Sequence, residues 1–218
     1  DSLTSAIHAT RLNVWSQQSE EFFNEAVIDV DGVIVGTTGE CKAGMDISFK
    51  GIWGYHPLLV SFANTKEVLA IINRSGNVHS ADDAARHLDQ SIGICTKAGF
   101  RSIRMRGDCK FSQTEHLDRW NELGVKFNFG YENYPNLKAL AEDLPETAWK
   151  PLKRSQRTIK TTERAKPVNV KRQIIRQRGY VHLELEHEDV AEFEYKPTAC
   201  HRGYRMIVVR KNISKEQG

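Results

Sequence analysis

Three aspartates stand where an apolar run gives out: Asp29 and Asp31 in AVIDVDG, and Asp108 at the end of SIRMRGD. Successive residues of an extended chain face opposite ways, so Asp29 and Asp31 share one strand face. An acid at the end of a buried strand is costly to desolvate unless a cation or hydrogen bonds compensate it. Two such placements therefore point to a divalent-metal site at this edge, with Asp29, Asp31 and Asp108 as candidates. In two-metal phosphoryl transfer, carboxylates surround ions about 3.5–4 Å apart, one activating the attacking oxygen and the other stabilising the leaving oxygen. One strand-end aspartate alone is more often a turn or cap residue; two in matching positions shift the balance toward chemistry. Gly107, just before Asp108, leaves room for a backbone or a substrate phosphate to come close.

A competing reading starts from DVDG itself, which resembles the opening motif of haloacid-dehalogenase-type magnesium-dependent phosphatases. Asp29 would then be the nucleophile and Asp31 the acid/base. That family asks for an acid shortly after the later Gly-Asp, where GDCKFSQ supplies Ser112 and Gln113. Its parallel sheet also requires strict β/α alternation, which the segment after Asp31 does not offer.

The elements that must position these acids follow from periodicity. Residues 1–25 have helix-compatible apolar spacing at Ile7, Leu12, Val14 and Trp15 and read as an N-terminal helical connector. Residues 26–150 form an α/β core. AVIDVDGVIVG, the strand-rich stretch from Asp46 to Ile72 and its glycine and proline breaks predict a mostly antiparallel meander. SADDAARHLDQSIGICTKAGF then predicts a helix, with Ser80 as N-cap, Asp82 and Asp83 in its first turn, and Ala84, Leu88, Ile92 and Cys95 on one face. Strand SIRMRG, helix TEHLDRWNEL, strand VKFNFGY and helix PNLKALAEDL complete the β/α half. Residues 151–218 read as a basic, β-rich insertion, with alternation at Val181, Leu183 and Leu185 and a second strand in YRMIVVRK.

The 218 residues, 39% hydrophobic, can bury a sizeable core, and a formal net charge of +3 says little by itself. Charge placement says more: between Lys150 and Gly179 there are eleven lysines and arginines and one acid, Glu163. Lys153, Arg154, Arg157, Lys160, Lys171 and Arg172 in that stretch are candidates for DNA-phosphate contacts by counterion release. Lys42, Lys50 and Arg74 flank the acidic edge and are candidates for the same role. Trp53, Tyr55 and His56 could stack on a frayed base, although core packing is the commoner fate of aromatics in a meander. Cys41, Cys95, Cys109 and Cys200 are widely spaced and signal neither a zinc knuckle nor a disulfide framework. No apolar stretch is long enough to span a bilayer, and the expected location is the cytoplasm.

Read in order, CKAGMDISFKGIWGYHPLLVSFANTKEVLAIINRSGN and AGFRSIRMRGDCKFSQTEHLDRWNELGVKFNFGYENYPNL resemble a bacterial insertion-sequence transposase of the DDE class, most similar to the insertion sequence 1380 branch. GYHPL, NRSGN from Asn73 to Asn77, the RGD ending at Asp108 and FGY from Phe129 to Tyr131 are the most specific pieces. The resemblance implies an RNase H-like mixed sheet interrupted by the β-rich insertion, with Asp31 ahead of Asp29 as first catalytic acid, Asp108 as second, Asp31 and Asp108 as the metal ligands, and Asp29 on the same face in the first or second shell. It also implies magnesium or manganese as cofactor, double-stranded DNA of transposon ends and target as partner, a homodimer on paired ends, and a nucleoid-associated bacterial location. Such enzymes take a third acid, a glutamate, from a helix after the insertion. RMIVVRKNISKEQG does not supply that helix, so the expectation is a truncated catalytic region, or an inactive DNA-binding remnant.

Overall fold

The computed structural model describes residues 2–39, 41–154, 177–178 and 181–217. They fall into two units, residues 1–132 with 197–202, and residues 133–196 with 203–218.

The first unit is built on a five-stranded sheet of β1 (Ala26–Gly32), β5 (Leu58–Phe62), β6 (Glu67–Ile72), β7 (Ile103–Gly107) and β8 (Lys126–Phe129), in the order β6-β5-β1-β7-β8. β5 runs antiparallel to both β1 and β6, whereas β7 is parallel to β1 and β8 parallel to β7. The antiparallel half is the expected meander and the parallel half the expected β/α units. Between β1 and β5 the chain forms a separate three-stranded sheet, β2 (Val35–Gly36), β3 (Asp46–Ile47) and β4 (Trp53–Tyr55), ordered β2-β4-β3.

Alternation decides which face of the main sheet is core. Ala26, Ile28 and Val30 of β1, Leu58, Val60 and Phe62 of β5, and Ile103 and Met105 of β7 are buried. Helix α2 (Ala84–Ala98) adds Ala84, Leu88, Ile92 and Cys95, and stops at Gly99, whose φ of +93° suits a left-handed cap. Burial pushes the Cys95 thiol up to about 12, so it is an inert core thiol. Ser80 is not the N-cap: α2 begins after Asp83, itself left-handed at φ 54°, because Arg74 Nη1 gathers the carbonyls of Ser80 (3.0 Å) and Asp82 (2.8 Å) into a turn ahead of the helix.

Helix α1 (Ser2–Trp15) is more than a connector. The Trp15 ring is buried against Phe62 (4.7 Å) and Phe100 (5.4 Å), and Arg11 Nε reaches Glu67 Oε2 at 3.1 Å, so the helix is tied into the first unit. Among the described residues no helix is long and apolar enough to cross a membrane.

Helices α3 (Leu117–Glu122) and α4 (Pro135–Glu142) follow the parallel strands. The second unit holds α4, β9 (Lys150–Pro151), β10 (Val181–Tyr195) and β11 (Tyr204–Gln217). The expected break lay at 150/151, whereas the units divide at 132/133. The reason is in the contacts: Arg210 lies over the Trp149 ring at 4.4 Å and forks onto Glu146 at 2.7 and 2.9 Å, and β9 pairs with β10. β10 and β11 form one long antiparallel ladder with an irregularity between Leu185 and His187.

Candidate metal centre

The register of β1 against β7 places the acids. Asp29 pairs with Arg106 and Val30 with Gly107, the last pair of this ladder, and Asp31 and Asp108 follow that pair on their two chains. Paired residues of parallel strands point to the same face, and neighbouring strands run about 4.8 Å apart. Asp108 continues the extended backbone of β7, at φ −74° and ψ −174°. By alternation Asp31 continues the face of β1 opposite the core, and Asp108 leaves the end of the neighbouring strand β7.

The same face shows what the lower rungs do. Arg104 binds the Glu25 carboxylate through Nε (3.2 Å) and Nη2 (2.9 Å). Arg106 grips Asp29 in a bidentate fork at 2.6 and 2.7 Å. Hydrogen bonding to Arg104 holds the Glu25 carboxyl below its ordinary range, and hydrogen bonding to Asp29 raises the Arg106 guanidinium above its own. At the strand ends the pattern stops. Asp31 Oδ1 accepts from the N–H of Gly32 (2.8 Å) and Asp108 Oδ1 from the N–H of Lys110 (2.8 Å), and among the described residues neither carboxylate has a cationic partner. Lys110, the next cation along from Asp108, directs its ammonium to Glu132.

Two glycines sit at this end of the sheet. A Cβ on Gly32 would lie 2.5 Å from His56 Nε2, and one on Gly130 would lie 2.9 Å from the backbone nitrogen of Cys109. His56 is buried, with Nδ1 3.0 Å from the Val78 carbonyl, so the ring supports the end of β1 and cannot stack on a base. Gly107 faces the core, where a Cβ would meet Val30 Cγ1 at 2.9 Å and Phe111 Cβ at 3.1 Å, so it makes room for packing and not for phosphate. Arg106 was missed because nothing in the sequence tells which strand lies beside β1, or in which register.

The motifs GYHPL and NRSGN come together. Tyr55 bridges Ser75, the His56 N–H donates to the Arg74 carbonyl (3.0 Å), and Arg74 Nε donates to the His56 carbonyl (3.0 Å). Arg74, expected to contact DNA, turns Nε and Nη1 onto backbone carbonyls, and its Nη2 is buried. Lys42 and Lys50 are exposed, as is Lys153, and Arg154 forks onto Glu188 at 2.6 and 3.1 Å. Arg157, Lys160, Lys171 and Arg172 lie outside the described residues.

Among the described residues no group of three or more His, Cys, Asp or Glu is placed to hold a metal ion. Asp31 and Asp108 offer a pair. Hard oxygen donors of this kind suit magnesium or manganese. The phosphatase reading needs Asp29 as a free nucleophile, and the Arg106 fork occupies both of its oxygens.

A solved structure similar to this chain is the cryo-EM structure of a piggyBac transposase synaptic complex with hairpin DNA, at 12% identity and a TM-score of 0.36, over 85% of this chain and 33% of that one. The chain therefore spans about a third of that protein's length. No curated protein sequence matches. The family described as transposase DDE domain group 1 matches residues 3–217, a span that includes β1, β7 and both carboxylates, and the chain belongs to this family of DDE transposases.

Proposed function

We propose that the chain is a catalytic region of a DDE-type DNA transposase, with Asp31 and Asp108 as two of its metal-binding acids and with metal-dependent strand cleavage and strand transfer as its chemistry. The observation that supports this reading is that Asp31 and Asp108 follow the last β1–β7 pair without a cationic partner among the described residues, whereas Arg106 neutralises Asp29 just before them. The sheet order β6-β5-β1-β7-β8, with antiparallel and parallel halves meeting at β1, supports an RNase H-like core.

Asp31 and Asp108 would hold magnesium or manganese. When bound, such an ion activates a water or a DNA 3′ hydroxyl and offsets charge at the leaving oxygen. Arg106 keeps Asp29 out of the ligand set, and Gly32 and Gly130 let the two strand ends sit close to their neighbours. Lys42, Lys50 and Lys153, with Arg157, Lys160, Lys171 and Arg172, are the proposed phosphate contacts for transposon ends and target. Membership of the insertion sequence 1380 branch, pairing of two copies on paired ends, and a bacterial, nucleoid-associated location complete the proposal.

Nicking of supercoiled plasmid tests it. The expected result is nicking that requires magnesium or manganese, stops on chelation and is lost in both Asp31→Asn and Asp108→Asn. Nicking that survives either substitution would overturn the assignment. Metal-binding chain that never nicks would reduce it to a DNA-binding module.

A further inference from the structure

Lys110 and Glu132, both in the first unit, lie just beyond the ends of two adjacent parallel strands. β7 and β8 pair as far as Gly107 with Phe129, and the Gly130 N–H then donates to the Gly107 carbonyl at 3.1 Å. A Cβ on Gly130 would stand 2.9 Å from the Cys109 nitrogen, so the chain leaving β8 is pressed against the chain leaving β7. Across that contact the Lys110 ammonium pairs with the Glu132 carboxylate.

The same lysine starts beside Asp108. Its backbone N–H donates to Asp108 Oδ1 at 2.8 Å, so its side chain is rooted next to that carboxylate. A flexible four-carbon stem lets the ammonium turn to either acid. Turned to Asp108, it would neutralise a proposed metal ligand, as Arg106 neutralises Asp29. It is turned instead to Glu132, and Asp108 has no cationic partner among the described residues. The two side chains of the pair are 44% and 37% exposed, so the pair adds little to stability. Its main consequence is where it puts one positive charge.

We infer that Glu132 is a positioning residue for the metal-binding aspartates: by holding the Lys110 ammonium it keeps Asp108 open to a divalent cation. Glu132 acts through Lys110 and is not itself a ligand. The inference rests on the reading that Asp31 and Asp108 bind a cation, and it adds what keeps one of them available.

The test is manganese binding by the whole chain, without DNA, followed by electron paramagnetic resonance. Glu132→Gln removes the charge at nearly constant shape and releases Lys110, and affinity is expected to fall about tenfold. Lys110→Met removes the ammonium and keeps an apolar stem. Alone it is expected to leave affinity within about threefold or to raise it, and combined with Glu132→Gln to bring affinity back to within about threefold of the unsubstituted chain. Circular dichroism checks that each variant folds, and a folding defect in Glu132→Gln would not be rescued by a second substitution that removes only a charge. The loss in Glu132→Gln should remain at least about threefold in about 0.5 M potassium chloride, where the screening length is about 4 Å.

Unchanged affinity in Glu132→Gln overturns the inference. A loss that persists in the double variant also does, because it would make Glu132 a ligand, and so does a fall in Lys110→Met alone. A loss that vanishes in high salt overturns it as well, by showing a diffuse field in place of a contact with Asp108. Affinity lost in Asp108→Asn but unchanged in Glu132→Gln defeats this inference alone. Affinity that Asp108→Asn leaves unchanged defeats the metal-site reading, and this inference with it.

Discussion

Two places along the β1–β7 ladder, separated by two residues, use the same carboxylate chemistry in opposite ways. At Asp29 the opposing residue is Arg106 and the charge is closed within the sheet; at the strand ends that follow, Asp31 and Asp108 have no cationic partner among the described residues. The first lies inside the ladder and the second at its end, where Asp108 leaves β7 and caps the turn Cys109–Phe111. A carboxylate closed by an arginine contributes to folding, and on the proposed reading the open pair is what a cation would bind.

The comparison breaks most visibly in activity. Asp31→Asn or Asp108→Asn should lower metal-dependent nicking on the order of a thousandfold, several kcal/mol of lost charge stabilisation. The same substitutions should leave urea stability little changed, because neither carboxylate has a cationic partner to lose among the described residues. Asp29→Asn should do the reverse, losing stability and changing nicking by less than about tenfold.

Packing under the end of β1 comes next. Gly32→Ala forces a methyl group to 2.5 Å from His56 Nε2 and should cost roughly 1–3 kcal/mol in urea denaturation. Adding His56→Ala should recover part of that loss, the signature of one shared contact. Full additivity of the two substitutions would show that His56 does not support this strand end.

Arg106→Ala sharpens the contrast by opening the closed rung. With the fork gone, Asp29 can join Asp31 and Asp108, and manganese affinity should rise about tenfold, as each added carboxylate raises ligand charge. Asp29→Asn in the same background should reverse the gain. Unchanged affinity in Arg106→Ala would mean that Asp29 stands too far from the ion to matter.

The smallest effect belongs to the lowest rung. The Glu25 carboxyl is depressed by its hydrogen bond to Arg104, so its contribution is complete above the ordinary value of 4.5 and is lost as pH falls through the lower folded value. Glu25→Gln should flatten that part of the acid-stability profile, by less than about 1 kcal/mol because the pair is partly exposed. An unchanged profile would remove Glu25 from the ladder.

The sequence was most informative where period and chemistry coincide. Alternation alone puts Asp29 and Asp31 on the polar face of β1 and Ile28 and Val30 in the core, and the break from meander to β/α units is visible in the glycines and the helix-period stretch after Asp83. What stayed hidden depends on neighbours distant in sequence. Arg106 as partner of Asp29, Arg74 as clamp of the turn before α2, and His56 as support of Gly32 all require knowing which strands adjoin and in which register. Gly107 misled for a local reason: its lack of a side chain reads the same whether the close neighbour is phosphate or Phe111. The 132/133 division was equally hidden, because Trp149 and Glu146 reach across sequence to Arg210.

The central claim is that Asp31 and Asp108 share a cation, and a manganese titration followed by electron paramagnetic resonance tests it most directly. The account predicts saturable binding by the unsubstituted chain, weakened at least about tenfold by either Asp31→Asn or Asp108→Asn and little changed by Asp29→Asn. Superimposable isotherms for the chain and the two substituted forms would contradict it.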